Sequence, residues 1–187
     1  MRLLVVMVAV VLLGGCGTEV ASQGAPPPAT PVPTGKASGG PIPTPPPKVC
    51  PASGAQVTVG PVEAALGHRA VVLKVTNCRA RTLTLNGYPA VAVLDYGRKP
   101  LGITVAHDSS YMAIDPGPAR LRLAKGQTAL SVVAWSNTVA DGPDPETGQF
   151  LKVAASKGDA QAVWPVVTDL GTTGKLEVTA WARKLKT

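Results

Sequence analysis

From Cys50 onward the chain is a series of short runs in which apolar and polar residues alternate. Gln56-Val57-Thr58-Val59 alternates cleanly, and Val71, Leu73 and Val75 face one way while Val72, Lys74 and Thr76 face the other. Leu83 and Leu85 interleave with Thr82 and Thr84, and Leu121 and Leu123 with Arg120 and Arg122. Lys175 to Ala180 closes the series with the same period of two. That period belongs to a pleated strand with one covered face. Ala90 to Leu94 is apolar on both faces, as a covered central strand should be. Thr128–Trp135, Leu151 with Val153, and Ala162-Val163-Trp164 supply further runs.

Between the runs stand Asn86-Gly87, Tyr96-Gly97, Pro116-Gly117-Pro118, Lys125-Gly126, Asp141-Gly142-Pro143 and Gly171–Gly174. These residues favour turns because they tolerate positive φ or fix it near −65°. A short helix over Ser156–Ala162 also fits the pattern. Many short strands with turn signals between them predict an all-β sandwich or barrel. We expect an immunoglobulin-like β-sandwich of about seven to nine strands over residues 50–187.

The N-terminal part reads differently. Met1-Arg2 is followed by an apolar run of 11 residues, Leu3 to Leu13. A membrane-spanning helix needs roughly 20 such residues. The run has the length of the apolar region of a secretory signal. Leu13-Gly14-Gly15-Cys16 resembles the lipobox of bacterial lipoproteins, which implies a signal peptide over residues 1–15 and lipidation of Cys16. Residues 16–49 are then a linker, with ten prolines between Gly17 and Val49 and no apolar periodicity. Such a stretch favours an extended, hydrated chain over a packed one.

Composition changes this picture little. The formal charge is +7 for the whole chain, and Cys50–Thr187 carries 15 basic against 10 acidic residues. An exported basic domain makes nucleic acid an unexpected partner, while lipid headgroups or anionic wall polymers attract it at long range. With one Phe, three Tyr and three Trp, the core must be filled by valine, leucine and alanine. With Cys16 assigned to lipid, Cys50 and Cys78 remain as one pair in an oxidising compartment. A bridge would close a loop worth about 3–4 kcal/mol by chain entropy. Two free thiols, or a metal site completed by His68, are the alternatives.

Candidate chemistry is sparse. His107-Asp108-Ser109-Ser110 holds the residue types of a hydrolase triad, but neighbours on an extended chain point apart. There is no G-x-S-x-G or S-x-x-K motif. Asp141, Asp144 and Glu146 cluster without the calcium-loop spacing, so we read an acidic turn and assign no metal. No cofactor is expected. Trp135 is assigned to the core, and Trp181 joins His107 and Asp108 as a surface candidate.

Val75-Thr76-Asn77-Cys78, then Leu83-Thr84-Leu85-Asn86-Gly87-Tyr88-Pro89-Ala90-Val91 and Trp135-Ser136-Asn137, resemble the actinobacterial exported domain known as domain of unknown function 4232. The resemblance covers roughly Cys50 to Ala180 and implies a β-sandwich in the cell envelope, with cysteines placed as Cys50 and Cys78 are. Members often carry a second cysteine pair, which this chain lacks. It implies no activity and no catalytic residue. The resulting expectation is a monomeric, non-enzymatic binding domain for an unknown protein or envelope polymer. Lipid at Cys16 would hold it on the extracytoplasmic face of the cell membrane. The alternative is a wall-acting hydrolase or transferase with a site near His107.

Overall fold

The computed structural model describes residues 44–141 and 147–187. The expected signal peptide, Cys16 and most of the linker lie outside the described residues. Ten strands are present among those described: β1 (Ala55–Ala65), β2 (His68–Asn77), β3 (Leu83–Asn86), β4 (Ala90–Leu94), β5 (Thr104–His107), β6 (Arg120–Leu123), β7 (Thr128–Ser136), β8 (Gly148–Ala154), β9 (Ala162–Thr168) and β10 (Lys175–Val178). The described residues are all-β, and none of their segments is a helix able to cross a membrane. The short helix considered over Ser156–Ala162 is instead a turn, with the Asp159 N–H donating to the Ser156 carbonyl at 3.1 Å. Gly158 sits there at φ +92°, which no right-handed helix accommodates.

The strands form three sheets, with orders β1-β2-β7-β10-β5, β3-β6 and β4-β8-β9. All pairings between named strands are antiparallel except β5 with β10, which is parallel. The five-stranded sheet is therefore mixed and the other two are antiparallel, and ten strands exceed the expected seven to nine. The strand the pattern concealed is β5. It is an edge strand with only Ala106 half-buried, so no alternation marks it.

β1 and β2 make the longest hairpin, closed by Leu66 and Gly67 at φ +44° and +81°. Positive φ at both central residues is what a type I′ turn requires. At the other end, Cys50 and Cys78 form a disulfide with Cα atoms 5.8 Å apart. Their sequence separation is 28. Ala55 pairs with Asn77 just inside the bridge, so the β1–β2 register itself brings the two cysteines together.

One core joins the three sheets. Val71, Leu73 and Val75 of β2 are fully buried, as their alternation predicts. They share an apolar cluster with Val133 and Trp135 of β7, Val93 of β4, Leu151 of β8 and Leu85 and Leu123 of β3 and β6. On the opposite face of β2 and β7, Ala70, Val132 and Ala134 pack beneath Met112, Ala113 and Leu185. Trp181 is 1% exposed, so its reading as a surface candidate is overturned. Its indole lies within the main core and donates Nε1–H to the Ala155 carbonyl at 2.8 Å. The basic residues Arg183, Lys184 and Lys186 that follow it are exposed, which is why the tail looked like surface.

Candidate functional site

A groove of about 830 Å³ opens where the β3–β4 connection, β5, the entry to β6 and the turn after β8 meet. The segment Asn86–Val91 forms one side, with Val105, His107, Pro118, Ala119, Arg120, Ser156 and Lys157 around it. Its size falls within the roughly 300–1,000 Å³ common for small-molecule sites.

Trp181 sets the groove's walls from below. Its backbone N–H donates to the Gly87 carbonyl at 2.8 Å, and its indole holds Ala155 beside Ser156. Gly87 in turn donates to the Ala119 carbonyl at 3.2 Å, which ties the β3–β4 connection to the entry of β6. Gly87 has φ +69°, and a Cβ there would approach Pro118 Cβ to 3.3 Å. Only glycine meets both conditions without strain. Parallel pairing with β10 fixes β5, and Val105 and His107, two residues apart, project to the same side.

The aromatic element of the site is a stack. The Tyr88 and His107 rings lie 3.8 Å apart at an interplanar angle of 2°. Tyr88 Oη donates to Asp115 Oδ2 at 2.7 Å, while Asp115 Oδ1 accepts the Ala180 N–H at 2.8 Å. Burial, then the hydrogen bond to Asp115 and the negative charges of Asp115 and Asp108, push the Tyr88 phenol up to about 12. Tyr88 is thus a neutral donor held in place.

Among the candidates from sequence, only His107 lines the groove. Asp108 is exposed beside it, and its Oδ1 accepts the Ser109 N–H at 2.7 Å. Ser109 Oγ accepts the Asp115 N–H at 2.8 Å, and Ser110 Oγ accepts from Met112 and Ala113 at 3.1 Å each. Both hydroxyls organise the loop leading to Asp115, and no hydrogen bond joins His107 to them among the described residues. The cysteine pair is bridged, which overturns both alternatives for it. His68 stands at the far end of β2, about 33 Å along the strand from Cys78 at the usual rise, and stacks on Tyr111 at 4.6 Å. Asp141 is exposed, while Asp144 and Glu146 lie outside the described residues. Cys16 also lies outside them.

Sequence reasoning missed Tyr88, Val105, Arg120 and Lys157. Arg120 alternates with Leu121 and Leu123 and so reads as an ordinary outward residue. Tyr88 carried a signal, since Asn86-Gly87-Tyr88-Pro89 belongs to the segment on which the family resemblance rests.

Residues 50–182 match the family model described as Domain of unknown function (DUF4232). No curated protein and no solved structure matches the chain.

Proposed function

Starting from a chain that belongs to the DUF4232 family, we propose that it is a non-enzymatic binding module of the cell envelope, which takes its ligand in the groove beside the Tyr88–His107 stack. The observation that carries this reading is the groove itself. It is open and mainly apolar, and two exposed cations, Arg120 and Lys157, stand on its lining. Sites of that kind bind by shape and burial and orient the ligand through a few polar groups. The reading treats the layered sheets as an immunoglobulin-like sandwich, in which ligands meet loops and edges more readily than the closed core. It also takes Cys16 as lipidated and residues 17–49 as the spacer that presents the domain outside the membrane.

The test is site-specific crosslinking in intact cells. A photoreactive residue replaces Ala119, which is exposed on the groove, or Lys125, which is exposed and does not line it. Capture of one defined species from position 119 and not from 125 supports the reading. Equal capture at both positions, or none at 119, refutes it.

A further inference from the structure

The chemistry of the lining narrows the ligand. We propose that the groove takes an amphiphilic anion, with an apolar chain over Val91, Val105 and Pro118 and a carboxylate or phosphate head facing Arg120 and Lys157. This inference rests on the binding reading above and names the ligand class of the same site.

Three observations support it. First, the lining carries two cations and no carboxylate. The nearby acids stand outside the lining and are held by hydrogen bonds, Asp115 from Tyr88 and the Ala180 N–H and Asp108 from the Ser109 N–H. Second, the side chains of Arg120 and Lys157 have no hydrogen-bond or ion-pair partner among the described residues. Arg69, Arg79 and Arg183 use their guanidinium groups on backbone carbonyls, of His68, Pro51 and Arg122 in turn, and Arg98 lies over the Phe150 ring, whereas Arg120 shares with Arg81 and Arg122 a guanidinium left for solvent or a ligand. Third, Val105 stays 38% exposed on an edge strand. An uncovered apolar side chain on a strand edge is the position a protein usually blunts with charge. Two cations beside an apolar wall suit one charged head with a tail. A repeating polyanion calls for a row of cations, and a neutral sugar for a mainly polar lining, whereas this one is mainly apolar.

The magnitudes follow from burial and screening. Each methylene removed from water tightens binding roughly three- to fourfold when fully covered. In an open groove, two added methylenes are expected to give about tenfold. Removing both cations should weaken anion binding by roughly tenfold, since exposed charges contribute modestly and are screened by salt.

The experiment uses the chain from Gly17 to Thr187, which retains every core residue named above. Octyl phosphate, decyl phosphate, decanoate, decyltrimethylammonium and octyl glucoside are titrated by calorimetry below their micelle concentrations. Amide shifts are followed by NMR. The expected results are binding of the three anions, about tenfold gain from octyl to decyl phosphate, shifts at Val91, Val105 and Ala119, and no saturable binding of the cation. The double variant Arg120→Gln/Lys157→Gln should lose the preference for anions over octyl glucoside. Ala119→Trp, at an exposed position, should block all of them. Should either variant fold poorly, raising sodium chloride from 50 to 500 mM on the unaltered chain must selectively weaken the anions.

Vesicles of phosphatidylglycerol separate the sources. Retention of the chain on them that Ala119→Trp abolishes points to a lipid of the bilayer, and binding of dissolved decyl phosphate alone, or retention that Ala119→Trp leaves unchanged, points to a free amphiphile in the groove. Equal affinity for all the head groups overturns the ligand class. So does binding of none of the probes, even if position 119 still captures a partner in cells, in which case the binding module stands without this ligand.

Discussion

Replacing Asn77 by alanine should cost the domain a substantial share of its stability, although the residue touches no groove. The side chain is fully buried where β2 ends, and it makes three hydrogen bonds. Its Nδ2 donates to the carbonyls of Arg81 and Leu123, both at 2.8 Å, and its Oδ1 accepts the Arg79 N–H at 3.0 Å. The bond to Leu123 is itself buried and joins β2 to the end of β6. Alanine leaves that carbonyl unsatisfied at about 1–3 kcal/mol, and loses two bonds near the surface worth about 0.5–1.5 kcal/mol each. A total near 3 kcal/mol corresponds to a Tm lower by roughly 10 °C in a domain of this size. Asn77→Asp sharpens the test. The carboxylate would face two carbonyl oxygens, which raises its folded pKa above the unfolded value of about 3.9. A raised pKa means stability retained below about pH 3.9 and lost as pH climbs through the folded value. The deficit relative to the unaltered chain should therefore be smallest near pH 3.5 and grow toward pH 7. Urea unfolding followed by circular dichroism at both pH values measures it. A Tm within about 2 °C for the alanine variant, or a pH-independent deficit for the aspartate, would falsify the account.

The Cys50–Cys78 bridge should leave no thiol reactive in the unlabelled native domain from Gly17 onward, and changing both cysteines to serine should lower the Tm by roughly 10 °C, from about 3–4 kcal/mol of loop entropy; stoichiometric labelling of native protein contradicts it. In an alkaline titration followed at 295 nm, one of the three tyrosines should ionise late, near 12, and Tyr88→Phe should abolish that phase. Because the folded value is raised, the stability Tyr88 contributes is intact below about pH 10 and disappears as pH passes through about 12. If Cys16 carries the anchor, Cys16→Ser should release the chain to the medium or leave an uncleaved precursor, and fractionation showing a cleaved, membrane-held form speaks against lipidation there.

Most of the strands are legible in the sequence because their buried faces repeat every second residue. Val71, Leu73 and Val75 in β2 are the clear case. Legibility failed where tertiary surroundings replace pattern. β5 has no covered face of its own and exists because β10 offers it a parallel partner. The β1–β2 turn was hidden because Leu66 occupies a position that Asn or Gly usually fills. Trp181 was misplaced because local sequence shows its basic neighbours and not the Gly87 and Ala155 carbonyls it reaches. The groove is the least legible feature. Its lining comes from four separated segments, and only His107 had been singled out. Asn77 was legible as part of a motif, yet its role emerges only from the carbonyls of Arg81 and Leu123.

The position of the disulfide has a mechanical consequence. Tension applied between the N-terminal segment and Thr187 enters the domain at Cys50, crosses the sulfur–sulfur bond to Cys78 and continues toward the C-terminus. Residues 51–77, and with them the whole β1–β2 hairpin, lie off the load path. Edge strand β1 is thus not peeled from β2 when the chain is pulled from its N-terminal end. Even after complete unravelling of the rest, roughly 90 Å of contour, at about 3.4 Å per residue, stays hidden until the bond is reduced. A reductant therefore acts on this domain as a length switch, lengthening its fully stretched form without any further unfolding of the loaded segments.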